Sequence, residues 1–199
     1  MMRMLPARGA SEPASAPSDG DVAKRVLDGD TGAFRLLVEP YQLRVHRIIL
    51  RLVGNRDDAA ELTQQAFLAA YAALARYNQA YPFSPWIVRI GVNLAKDHLK
   101  SARQREIASQ PADFELQRDT GDDPELRAVT RERSVQLAAA LQTLTVSDRE
   151  ILILKDIEEL SYGEIRAILG RPITALKIRA LRARRRLREA LERASRSVT

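Results

Sequence analysis

The side chains in this sequence that are grouped closely enough to do chemistry are cations, aromatic rings and amides. Near the C-terminus, Lys177, Arg179, Arg182, Arg184, Arg185, Arg186 and Arg188 crowd one segment with a single sign of charge. Earlier, Tyr77, Tyr81 and Phe83 stand among Asn78 and Gln79, just before Trp86. Arg89, Asn93, Lys96, Lys100 and Arg103 follow at helical steps of four, three, four and three. Such a stripe is most often a solvated helix face. Placed after an aromatic, amide-rich loop, it fits single-stranded nucleic acid, whose bases stack on rings while cations track the phosphates. Trp86 has two readings of about equal weight, a stacking platform or a core anchor. No carboxylate cluster or histidine pair is arranged for hydrolysis. His46 and His98 are far apart and there is no cysteine, so no metal, no cofactor and no catalytic residue is expected.

The cationic segment needs a scaffold, and the sequence predicts one. Ser147 with Glu150, and Ser161 with Glu164, have the spacing of a capping box, so each pair marks a helix start. Ile165, Ile168 and Leu169 give the second helix one apolar face. Gly170 supplies a left-handed stop, and Pro172 sits where a new first turn needs no amide donor. The following helix carries a buried stripe of Leu176, Ala180, Ala183 and Leu187, with small residues where two helices approach. A short helix, a glycine turn and a cationic second helix match the motif that places a recognition helix in the DNA major groove. An ordinary bundle with a charged face is the weaker alternative. Ile178 faces away from the buried stripe, with Leu181 three residues on. That apolar strip suits either thymine methyl groups or a masking partner.

The rest of the chain reads as helices with a break. The first residues, through about Asp19, are rich in Pro, Ser, Ala and Gly and read as a disordered tail without a secretory h-region. A short helix spans Asp21 to Asp28, closed by Gly29, and Asp30 caps the next. Phe34 to Leu52 then carries two apolar quartets in one phase. They form one helix kinked at Pro40 or two nearly collinear ones, ended by Gly54-Asn55. Asp57 or Asp58 starts a third helix, with Phe67, Ala70, Tyr71 and Leu74 inward as far as about Arg76. Its first half shows Glu61, Gln64 and Gln65, polar residues the fold does not need. A fourth helix, Trp86 to about Arg105, turns Phe83, Ile87, Ile90, Leu94 and His98 inward, with His98 at the core edge.

Between Glu106 and Arg127, seven acids stand against Arg118 and Arg127, a net charge of minus five, and Pro111, Gly121 and Pro124 break any helix. This is a flexible acidic linker. Extended, it reaches at most ~60 Å, close to two turns of duplex at ~34–36 Å each. Its charge predicts that in the free protein it lies against the basic last helix. From Pro124 another helix turns Leu137, Leu141 and Leu144 inward. The fold class is all-α: two small helical domains joined by the linker, the second with a helix-turn-helix. A net charge of +6 and a pI of about 10.0 suit a polyanionic partner. No apolar run approaches the ~20 residues of a membrane helix, so a cytoplasmic protein without membrane contact is expected.

Three stretches carry a family resemblance: DAAELTQQAFLAAYAAL (Asp58–Leu74), FSPWIVRIGVNLAKDHLK (Phe83–Lys100) and LSYGEIRAILGRPITALKIRALRARRRL (Leu160–Leu187). In this order and spacing the chain resembles an extracytoplasmic-function (group IV) sigma factor of bacterial RNA polymerase. The resemblance implies a tail at 1–18, sigma domain two at 19–105, a linker at 106–122, sigma domain four at 123–193 and a tail at 194–199. It implies that Asp58, Glu61, Gln64 and Gln65 grip the polymerase clamp. Tyr77, Asn78, Tyr81, Phe83, Trp86, Arg89, Asn93, Lys96 and Lys100 would melt and hold the minus-ten element. Arg171, Thr174, Lys177, Ile178, Arg179, Leu181, Arg182 and Arg185 would read the minus-thirty-five duplex. The implied partners are core RNA polymerase, promoter DNA in duplex and single-stranded form, and room for an anti-sigma factor, with a monomer when free. The chain departs from the family where Gln65 and Ala60 replace usual acids, where Gly163 replaces an acidic helix former, and at Ile178 and Leu181. Two other classes remain, a free-standing helix-turn-helix regulator that binds duplex only and an enzyme acting on nucleic acid. The regulator would not need the aromatic loop or the Arg89–Arg103 stripe, and the enzyme would need a carboxylate cluster or a histidine pair, neither of which is visible.

Overall fold

The computed structural model describes residues 17–106 and 134–196, and all regular structure among them is helical. α1 (Asp19–Leu27) starts two residues earlier than the sequence reading. Ser18 caps it, accepting from the Asp21 amide while the Asp21 carboxylate reaches back, a complete capping box. Asp30 caps a 3-10 turn (Thr31–Phe34) leading into α2 (Arg35–Val38). A turn at Pro40 separates it from α3 (Gln42–Val53), so the segment is two helices. α3 buries Val45, Ile48, Ile49 and Leu52 and stops at Gly54, whose φ of 80° is left-handed. Asn55, rather than Asp57 or Asp58, caps α4 (Arg56–Ala72). The two aspartates fill its first turn, where the helix dipole favours negative charge. A 3-10 turn, Leu74–Arg76, replaces the last helical turn expected there.

α5 (Phe83–Glu106) is rotated from its expected setting. Phe83, Ile87, Val88, Val92 and Ala95 are buried, while Ile90, Leu94 and His98 lie at the edge of the core. Gly91 explains the rotation. A Cβ there would stand 3.2 Å from the Ile49 and Val45 side chains, so the glycine lets α5 close on α3 and turns its neighbours inward.

In the second domain, α6 (134–142) buries Leu141, and Leu144 follows it inward. Leu137, expected to face inward as well, is exposed. α7 (Val146–Leu152) is capped by Thr145, which accepts from the Asp148 amide at 3.2 Å. The expected box of Ser147 and Glu150 does not form, because Ser147 already lies inside the helix and Glu150 is buried. α7 widens into a π turn (Ile153–Ile157). α8 (Tyr162–Leu169) shows the expected Ser161–Glu164 box and ends at Gly170 with φ 66°. α9 (Ile173–Arg196) turns Leu176, Ala180 and Ala183 into the core, with Leu187 half-buried and Ala190 continuing the stripe.

The two domains touch. α5 packs against α8, and α3 against α7 and the π turn. Arg149 is the centre of this junction. Its guanidinium donates to the carbonyls of Leu141, Gln142 and Leu144 in its own domain, to the Gln142 side chain, and across the junction to Leu52. Burial pushes its pKa down to about 10, which leaves it charged at neutral pH. Gln142 also donates to the Arg51 carbonyl at 3.2 Å. The last carbonyls of α3, which have no partner within the helix, are therefore capped by the second domain.

Candidate nucleic-acid interface

The loop between Tyr77 and Phe83 is built on a floor of aromatic rings. Tyr77 and Phe83 meet edge to face at 5.4 Å, Trp86 lies 5.2 Å from Tyr77 and 5.4 Å from Phe83, and Tyr41 lies 5.6 Å from Phe83. Phe83 is fully buried and Tyr77 is 6% exposed, so neither presents a face to a base. Expected from the sequence to contact the DNA strand, both instead form the loop's support. Trp86 is half-buried in the same cluster, on the side of the core-anchor reading. The Tyr77 hydroxyl donates to the Tyr81 carbonyl. Above this floor Tyr81 is 68% exposed, with Asn78 exposed beside it and its side-chain oxygen accepting from the Ala80 amide.

One residue outside the expected set holds this loop from a distance. A single carboxylate oxygen of Asp19 accepts from the Phe83 amide at 3.1 Å and from the Tyr41 hydroxyl at 2.8 Å. Burial first, then that hydrogen bond, pushes the Tyr41 pKa up to about 12, so Tyr41 remains a donor at any physiological pH. Gly20 lies against Gln79 of the loop, where a Cβ would stand 3.0 Å from the Gln79 carbonyl oxygen. The only sequence signal for this role was an acid beside a helix start, which capping alone explains.

Beyond the loop, Arg89, Asn93 and Lys100 on α5 are open to solvent. Lys96 is half-buried, with its ammonium 3.1 Å from Glu150 of α7. The α9 helix has two basic sides. Arg179 and Arg186 turn back onto buried Asp148, and Arg184 grips Asp156 at 2.6 and 2.9 Å. Lys177 stands 5.8 Å over the Tyr162 ring, a cation–π contact. At about 100° per residue, Thr174, Ile178, Leu181 and Arg185 fall within about 40° of the direction opposite Leu176. Ile178 is 53% and Leu181 69% exposed, and Arg171, Thr174, Arg182 and Arg185 are exposed around them. Arg179 alone of the expected duplex-reading residues is drawn to the inner side.

On α4, Glu61, Gln64 and Gln65 are exposed, and the Gln65 amide donates to Glu61 at 2.9 Å. Asp58 differs, since its carboxylate is 3.2 Å from His98 Nε2 and ties α4 to α5. Tyr71, expected inside, is 43% exposed and packs edge to face on Phe34 at 5.1 Å. With exposed Leu68 it extends the polar face by an apolar pair. Among the described residues no group of three metal-ligating side chains comes together, and no helix is long and apolar enough to cross a membrane.

The chain is similar to known proteins over both domains. The Sigma-70 region 2 family matches residues 37–105, and the Sigma-70, region 4 family matches residues 134–187. The two matches define a polymerase specificity subunit rather than a free-standing regulator. The chain is 31% identical over 182 residues to the RNA polymerase sigma-H factor of Pseudomonas aeruginosa, covering 87% of this chain and 94% of that protein. It is 30% identical over 175 residues to the ECF RNA polymerase sigma factor SigW of Bacillus subtilis, covering 84% and 94%. Among solved structures, CnrH in complex with the cytosolic domain of CnrY superposes with a TM-score of 0.66 at 25% identity, covering 87% of this chain and 97% of that one. The chain belongs to the extracytoplasmic-function family of RNA polymerase sigma factors. It is an alternative sigma factor that directs the polymerase to promoters, and it is not an enzyme.

Proposed function

We propose that initiation is divided among three surfaces of this chain. Residues 19–105 act as sigma domain two, docking on the polymerase clamp through Glu61, Gln64 and Gln65 with Leu68 and Tyr71 beside them. Asp58 orients that face through His98. Tyr81 and Asn78 receive an extruded base of the minus-ten element, and Arg89, Asn93, Lys96 and Lys100 hold the strand. Residues 123–193 act as sigma domain four, with the Thr174, Ile178, Leu181 and Arg185 face of α9 in the major groove. Residues 106–122 join them; all but Glu106 of that segment lie outside the described residues, and so does the expected linker–helix contact. The site of action is the cytoplasm, where the polymerase works.

The observation that carries this reading is the protruding Tyr81 on a closed aromatic floor, immediately ahead of the cationic side of α5. Unstacking costs a few kcal/mol per base, and a stacked base returns ~1–3 kcal/mol. The two nearly cancel, so the free chain does not open a duplex and the polymerase supplies the difference. The clamp surface is tested by Glu61→Lys. Affinity for core polymerase should fall about tenfold, the order of one lost charged contact of 1.4 kcal/mol, while the melting temperature of the isolated chain stays put. Loss of fold and binding together would make Glu61 structural.

A further inference from the structure

Two large aliphatic side chains stand on the cationic helix α9, and core packing does not account for them. Ile178 is 53% and Leu181 69% exposed. They lie three residues apart, about 4.5 Å along the axis at 1.5 Å per residue, and about 60° apart around it. Cations rim them. Arg179 and Arg186 are paired with buried Asp148. Arg171 and Arg182, which wall the cleft beside Ile178, have no carboxylate partner among the described residues. Arg185, one turn beyond Leu181, is exposed and only loosely paired with Glu189 at 3.6 Å. An apolar pair in this setting fits a ligand whose apolar groups lie between anions. The core of a protein interface is by contrast depleted of charge. In the DNA major groove the C5 methyl of thymine is the apolar group, and phosphates line both edges.

We infer that Ile178 and Leu181 read the C5 methyl groups of pyrimidines at two neighbouring base pairs of the minus-thirty-five element, which rests on the reading of the outer face of α9 as the duplex-reading surface. Their axial separation is close to the ~3.4 Å between successive base pairs, so each side chain has its own pair. Selectivity is for the methyl group alone. Thymine presents an acceptor at O4 beside its methyl, and cytosine presents a donor at N4. Isoleucine and leucine have no polar side-chain atom with which to tell these apart. A cytosine methylated at C5 offers them the same methyl as thymine, so 5-methylcytosine is accepted where cytosine is not. Promoter strength at those two positions is thereby open to base methylation, through side chains that carry no charge and make no hydrogen bond.

The test uses holoenzyme assembled from core polymerase and the full chain, on duplex promoter fragments whose minus-thirty-five element has been selected from a random pool. Each thymine of the element is replaced in turn by deoxyuridine, which deletes only the C5 methyl. Two neighbouring positions should each lose about fourfold in affinity, the weight of one buried methyl-sized group. Cytosine at either position should weaken binding, and methylating that cytosine at C5 should regain about the same factor. Ile178→Ser should abolish the methyl effect at one position and Leu181→Ser at its neighbour. Both residues are exposed, so both variants should keep the parent's melting temperature. An element lacking neighbouring thymines, or a parent indifferent to deoxyuridine at every position, overturns the inference. So does a methyl effect that survives both serine variants. Arg182→Ala separates that failure from failure of the underlying reading. If it weakens binding to every duplex and lowers the salt slope by about one while the methyl groups have no effect, α9 lies on DNA and only methyl reading is lost. If it leaves affinity unaltered as well, the outer face of α9 is not on the duplex and the apolar strip belongs to a protein partner.

Discussion

Arg149→Ala is expected to destabilise the folded chain by about 3–5 kcal/mol, the cost of breaking a buried, hydrogen-bonded charge site. The guanidinium is the donor for carbonyls at the end of α6, at the turn before α7 and at the end of α3. Each carbonyl left dry costs about 1–3 kcal/mol when its partner is deleted. Alanine leaves several at once, and Leu141, Leu144 and Leu52, which carry three of them, are buried. Arg149→Lys should recover only a minor part, because an ammonium cannot fork toward carbonyls that lie in different directions. Urea denaturation at neutral pH reads the difference. A loss under about 1 kcal/mol would mean that these carbonyls are not dependent on Arg149, and the junction described above would lose its centre.

Tyr81→Ala is expected to slow open-complex formation on a duplex promoter by about tenfold to a hundredfold, matching the ~1–3 kcal/mol of one base–aromatic stack. The same variant on a template with a pre-opened bubble should recover most of the rate, because the unstacking step has been removed. Asp19→Ala should give the same pattern at smaller amplitude, since it frees the Phe83 amide and the Tyr41 hydroxyl that fix the loop to the domain. Asp19→Asn keeps an acceptor oxygen and should restore much of the function. Equal defects on duplex and bubble would assign Tyr81 to holding the strand and remove it from melting. A defect in Asp19→Ala that tracks a lower melting temperature would reduce Asp19 to a structural tie.

What the residues disclosed by themselves was local. Ser161 and Glu164 find each other three positions apart, and Gly170 needs nothing beyond its own backbone freedom, so the helix-turn-helix was legible in full. The buried stripe of α9 followed from its period in the same way. Thr145 and Ser147 both precede an acid by three residues, and spacing cannot choose between them. The choice falls to Thr145 because Glu150 is drawn to Lys96, a residue remote in sequence and in the other domain. The aromatic loop was visible as a composition, but which rings would become floor and which would protrude depended on Asp19 and Tyr41. Likewise the rotation of α5 came from Gly91 facing α3, where a missing side chain leaves no apolar signal to count. Leu137 of α6 shows that periodicity names a face without guaranteeing what covers it.

The central claim, that this chain gives core polymerase its promoters, is tested most directly by start-site-mapped transcription. Core RNA polymerase is mixed with the full chain and a pool of promoter fragments, and the RNA 5′ ends are sequenced. Transcripts are expected from discrete starts that appear only when the chain is present, each preceded by one shared pair of minus-ten and minus-thirty-five sequences. Those transcripts should fall away with Glu61→Lys and with Tyr81→Ala. A chain that binds duplex fragments while core polymerase remains silent, and that does not co-purify with it, would be a free-standing DNA-binding protein instead.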